Sequence, residues 1–142
     1  FVGKRGFISA DVERINYGKA KYKPADNFLE FDNENTSIRN LYQEVYNFRV
    51  GGEFRIENFR FRGGYSYMPD AYRSAQNNTD QNIQTYSGGI GYRTGKFYVD
   101  GTYVFRQLEN PYRPYSVNSP TSPLASFQTS RGQTMFTVGF LF

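Results

Sequence analysis

The sequence contains no cysteine, no histidine and no tryptophan, and only five leucines. Without Cys or His there is no Cys–His or Ser–His nucleophile pair, no zinc site of the usual kind and no disulfide framework. This points to a protein that is not an enzyme and takes no cofactor. Charge of one sign is also scarce. Seventeen Lys and Arg against thirteen Asp and Glu leave +4, spread along the chain with no basic run, so nucleic acid is not an expected partner. No stretch approaches the roughly 18 consecutive apolar residues of a membrane-spanning helix. Residues 1–10 lack the charged head and long apolar run of a signal peptide. The sequence starts at Phe1 rather than Met, which reads as a processed product or a fragment.

What the chain has instead is rings. Thirteen Tyr and fourteen Phe stand among 142 residues, although the mean hydropathy is a hydrophilic −0.69. They recur with a period of two. In residues 97–106, Phe97, Val99, Gly101, Tyr103 and Phe105 take one face, and Tyr98, Asp100, Thr102, Val104 and Arg106 the other. The same alternation runs through 46–55, 59–67, 85–93 and 133–142. Residues 6–17 are less regular. Ile8, Ala10 and Val12 share a face, Ile15 and Tyr17 fall out of phase, and a bulge near Glu13-Arg14 would restore the register. The spacing predicts an all-β chain forming one partial barrel domain over 1–142, with strands at about 6–17, 42–55, 59–67, 85–93, 96–106 and 133–142. No run carries a helical stripe.

The connections alternate in length. Tight turns are expected at 56–58 and at 94–95, where Gly95 would supply positive φ. Long polar loops are expected at 18–39, 68–83 and 107–131. Short turns at one end and long loops at the other are the habit of transmembrane β-barrels. Tyr near strand ends (Tyr17, Tyr67, Tyr86, Tyr92, Tyr103) would suit the aromatic girdles at the two membrane interfaces. In that arrangement the Phe97 face meets lipid. The opposite face lines a lumen with a charged ladder of Arg49, Glu53, Arg55, Arg60, Arg62, Arg93, Asp100 and Arg106, joined by Asp11 and Glu13. Mid-strand glycines such as Gly51, Gly52, Gly63, Gly64, Gly88 and Gly89 read as points of strong twist in the wall. A soluble barrel with its apolar face inside is the competing architecture.

Two further features bear on partners. Phe28, Leu29 and Phe31 in the first loop, with Leu124 and Phe127 in the third, could give an apolar surface for a hydrophobic ligand. The oxygen-rich stretch Asp26, Asn27, Glu30, Asp32, Asn33 and Glu34 matches no EF-hand spacing and reads as solvated loop charge, so no metal is expected.

The last residues, with Phe136, Val138, Phe140 and Phe142 on one face, resemble the C-terminal signal that barrel-assembly machinery reads by strand pairing. Across nearly its whole length the chain resembles the C-terminal part of the FadL/TodX family, outer-membrane transporters of long-chain fatty acids and other hydrophobic compounds, in particular members from Bacteroidetes-type bacteria. The resemblance lies in Gly6-Phe7-Ile8-Ser9-Ala10-Asp11, Phe48-Arg49-Val50-Gly51-Gly52-Glu53, Phe59-Arg60-Phe61-Arg62-Gly63-Gly64, Gly88-Gly89-Ile90-Gly91-Tyr92-Arg93 and Phe97-Tyr98-Val99-Asp100-Gly101. It implies a transmembrane antiparallel β-barrel of about 14 strands, of which six C-terminal ones are present here. It also implies an N-terminal hatch, bacterial outer-membrane localisation and uptake of hydrophobic small molecules; no substrate-binding residue carries over. Six strands cannot close alone, since about eight is the smallest membrane barrel. The expected partners are therefore outer-membrane lipid, the assembly machinery, the remaining strands of the same barrel or of another chain, and a hydrophobic ligand. A scaffold subunit of a larger outer-membrane or secretion assembly and a hydrophilic porin are the alternatives.

Overall fold

The computed structural model describes residues 5–25, 30–73, 81–112 and 125–140. They form one six-stranded antiparallel sheet: β1 (Gly6–Asn16), β2 (Glu44–Ile56), β3 (Phe59–Met68), β4 (Ile83–Arg93), β5 (Phe97–Tyr112) and β6 (Ala125–Phe140). The spatial order equals the chain order, so every strand pairs only with its neighbours in sequence. β1 and β6 are not paired to each other, and the sheet is open. One helix, α1 (Asp32–Leu41), stands in the β1–β2 connection after a 3₁₀ turn at Tyr17–Lys19.

Alternation of rings and polar residues makes these strands, because period two puts the two sets on opposite faces of a pleat. The registers carry the two faces unbroken across the sheet. On one face Phe54, Phe61, Ile90, Gly101 and Phe136 form a row of direct partners. On the other the row runs Asp11, Arg49, Ser66, Thr85, Arg106, Arg131.

Several expectations need correction. The pairing of β1 with β2 is continuous from Gly6↔Phe54 to Asn16↔Glu44, so there is no bulge at Glu13-Arg14. Ile15 instead stays on the charged face opposite Val45, the single buried hydrophobic residue among those described. The first long connection is not all loop. Asp32 and Glu34 stand in the first turn of α1 and Arg39 in the last, the order a helix dipole favours. The third connection is much shorter than expected, since β5 and β6 continue pairing out to Tyr112↔Ala125. Pro111 sits inside β5, where the strand has outrun β4 and has a neighbour on one side only. For the same reason Tyr103 lies in mid-strand, not at an end.

The turns invert another expectation. None of the described glycines, Gly95 included, takes a positive φ. The 94–96 connection closes through the Thr94 hydroxyl, which accepts from the Lys96 and Phe97 amides at 3.2 Å each. The positive φ belongs to Glu57, at 50°, in the two-residue turn between Ile56 and Phe59. A side chain in that region costs about 1 kcal/mol that glycine avoids. Glu57→Gly should therefore stabilise the folded protein by up to about 1 kcal/mol, and Glu57→Val should destabilise it. Urea-unfolding midpoints measure both, and a Gly variant less stable than the parent would refute the strain.

Candidate functional site

The charged face of the sheet is where polar chemistry collects. All eight residues of the expected ladder lie on it: Arg49, Glu53, Arg55, Arg60, Arg62, Arg93, Asp100 and Arg106. The structure joins some of them and leaves others apart. Arg49 forks between two carboxylates of β1, donating to Asp11 and to Glu13 at 2.8 Å each. Glu13 also accepts from the Asn47 amide at 3.1 Å, and Asn47 is only 2% exposed.

A second network crosses four strands. Glu53 accepts from Arg55 on its own strand and, at 2.8 Å, from Arg62 on β3. Arg62 then reaches over β4 to Asp100 on β5. Glycine makes that reach possible. Arg62 stands opposite Gly89, and Asp100 stands opposite Gly91. A methyl group at Gly91 would collide with the Asp100 carboxylate and would touch the Arg62 guanidinium at ordinary contact distance. The glycine column of β4 is thus a gap through which an ion pair connects strands that are not neighbours.

Rings use the same device at the sheet's far side. The Tyr98 ring lies over Gly139, Tyr103 over Gly132 and Phe136 over Gly101. Arg93 holds its guanidinium 5.6 Å from the centre of the Tyr98 ring. Arg60, Arg93 and Arg106 have no carboxylate within ion-pair distance among the described residues. Arg131, directly opposite Arg106, belongs with them and was missed in the sequence because it seemed to lie in a loop. Charge is therefore not evenly placed. Seven arginines of the strands face four carboxylates on this side of the sheet, an excess of three within a chain whose net charge is +4.

The opposite face is apolar and bare. Phe48 is 48% exposed, Phe54 45%, Ile90 51% and Phe136 80%. In β3 and β4, Arg60, Arg62, Gly64, Ser66, Ser87, Gly89 and Gly91 of the charged face are half-buried or buried, while Arg93 on that face and Phe59, Phe61, Tyr86 and Ile90 on the other are exposed. Of the expected assembly-signal residues, Phe136, Val138 and Phe140 project from this face on the edge strand β6; Phe142 lies outside the described residues. Rings cluster at the short-turn end, with Tyr92 centred 5.1 Å from Phe59 and 6.1 Å from Phe97. Among the described residues the one ion pair on this face, Arg14 with Glu44 at 2.8 Å, stands at the long-loop ends of β1 and β2.

The long connections bind to each other. Tyr42 bridges to Tyr72 through the backbone and stacks its ring 4.7 Å away. The hydrogen bond to the Tyr72 hydroxyl, with some burial, pushes the Tyr42 phenol up. Gln43 donates its amide to the carbonyls of Asp70 and Tyr72. Asn35 of α1 both accepts from and donates to the Tyr22 backbone, at 2.8 and 3.1 Å. Of the apolar loop residues, Phe31 packs against Tyr22, 5.7 Å between centres. Phe127 belongs to β6 rather than to a loop. Phe28, Leu29 and Leu124 lie outside the described residues.

The chain matches no family model, no curated protein and no solved structure. The site therefore rests on its own geometry.

The glycine gap makes a paired prediction. Gly91→Val should cost about 1–3 kcal/mol, because it drives Asp100 away and breaks the Arg62–Asp100 bond, leaving Arg62 with Glu53 alone. Gly88→Ala, where an added methyl meets nothing within 4 Å, should change stability by less than about 0.5 kcal/mol. Equal urea midpoints for the two variants would refute the gap.

Proposed function

We propose that this sheet is a sector of a transmembrane β-barrel of a bacterial outer membrane, in a protein that takes up hydrophobic small molecules such as long-chain fatty acids. The observation that carries the reading is the patterning: exposed rings and aliphatic side chains fill one whole face, while the strand charges gather on the other, where only some of them are half-buried or buried. In water such a sheet leaves its rings exposed and has almost no core. In a bilayer the same rings are solvated by lipid, and the arginines stay hydrated or paired with carboxylates along a wet interior.

Dimensions agree with this. The outward positions of β2 are uncharged from Tyr46 to Ile56, about 33 Å along the strand at ~3.3 Å per residue. A tilt of about 40° lowers that to roughly 25 Å, the height of an outer-membrane apolar band. The aromatic cluster of Phe59, Tyr92 and Phe97 stands where one girdle would be, and the Arg14–Glu44 pair falls at the opposite margin, where Arg14 is level with Tyr46.

The open edges bear on the size of the whole. Free N–H and C=O groups along β1 and β6 cannot face hydrocarbon, where each costs several kcal/mol. Further strands, in the same chain or another, must cover them. The resemblance to FadL/TodX transporters supplies such strands in a barrel of about 14, and its substrate class gives the uptake reading. The protein's work in this reading is passive passage, without covalent chemistry. A hydrophilic pore is the second reading, favoured by the arginine excess on the charged face.

The test is expression of the full-length gene product with its own leader. It should fractionate with the outer membrane, resist carbonate extraction, migrate faster on gels when unheated, and raise uptake of labelled oleate severalfold over cells lacking it. Recovery in the soluble fraction would sink the barrel. Membrane insertion with ion conductance but no oleate uptake would favour the pore.

A further inference from the structure

We propose that Arg106 and Arg131 form an oxyanion site on the charged face, a seat for a carboxylate or phosphate group. The two residues are direct partners across β5 and β6. Like charges in that relation destabilise a sheet, so the pair needs a counter-charge. Among the described residues the face has none to give. Its four carboxylates are all taken: Asp11 and Glu13 by Arg49, Glu53 by Arg55 and Arg62, and Asp100 by Arg62.

The surroundings are those of an anion seat. Both exposed arginines line an open surface hollow of about 170 Å³ with Val104 and Gln133. That volume suits a small oxyanion or the head of an amphiphile. Thr85, the partner of Arg106 on β4, adds a hydroxyl to the same row, and Gln133 an amide. Guanidinium groups present paired N–H donors to planar carboxylate and to phosphate, and an anion between two of them forms charge-assisted hydrogen bonds to both. Arg49 occupies the equivalent position two strands beyond Thr85 in the same row, where Asp11 answers it. The β5–β6 end of the row therefore repeats the arginine and lacks the acid.

The inference deepens the uptake reading and rests on it for the setting: substrates carrying an oxyanion would be preferred over neutral ones of the same chain length. The experiment is calorimetric titration of the detergent-solubilised full-length protein with dodecanoate, inorganic phosphate and dodecanol, for the parent, Arg106→Gln, Arg131→Gln and Arg131→Lys. Dodecanoate or phosphate should bind the parent, and affinity should fall about tenfold for each Gln variant, with the Lys variant between. Dodecanol binding should not change. Binding of dodecanoate alone would identify an amphiphile head as the ligand, and binding of phosphate as well would identify a free-anion seat. Each Gln variant should also unfold at a higher temperature than the parent without ligand, since removing one charge relieves the repulsion. That readout needs only a folded variant and separates the site from a structural role. Parent protein that binds neither anion, Gln variants that bind as well as the parent, or Gln variants less stable than the unliganded parent would each overturn the proposal. Recovery of the protein as a soluble species would overturn the uptake reading instead.

Discussion

A single layer of strands has nothing to bury itself against, so the antiparallel hydrogen-bond ladder carries this fold. Two packed layers would share the load with a hydrophobic core. Here Val45 is the one buried hydrophobic residue described, and rings stand open along one whole face. What the ladder leaves undone, side chains complete on the other face. The Arg49 fork ties β2 to β1, and the Glu53–Arg62–Asp100 chain ties β2 to β3 and β5. These contacts are effective because the arginines are planar and reach two acceptors at once.

Glycine is the complement of that network. In an ordinary sheet a mid-strand glycine weakens pairing, because it adds freedom to the unfolded chain and brings no side chain to pack. In this sheet the empty space is used. Arg62 crosses β4 at Gly89 and Gly91, while Tyr98, Tyr103 and Phe136 cover Gly139, Gly132 and Gly101. Long side chains on one strand thus occupy the room left by the next. The alternation of very large and very small residues in the sequence is a packing rule across strands rather than a backbone requirement, since none of these glycines needs a positive φ.

Period two made most of the architecture legible from residues alone. The six strands, their two faces and the tight turn before Phe59 follow from the spacing of rings and charges, and so does the shared face of the arginine ladder. What escaped had physical reasons. The outer halves of β5 and β6 carry Pro111 and several polar residues, because beyond Leu108 that hairpin has no β4 beside it and no apolar face to maintain. Arg131 was lost with them. Helix α1 is short and polar and shows no stripe to a sequence reader; the acids of its first turn and the arginine of its last were the available signal. Ile15 looked out of register because an apolar residue on the charged face breaks the pattern, yet beside Val45 it finds shelter there. Which arginine meets which acid cannot be read from spacing, since it depends on gaps in a strand between them.

The order of the strands has a kinetic side. Within the described sheet each strand pairs only with its chain neighbours, so none of these pairings joins distant segments or needs a threaded crossover. Loop closure is cheap at such separations, and contacts between near neighbours form early in folding. The sheet can grow one hairpin at a time from any starting pair, and at every stage the growing edge is itself the template for the next strand.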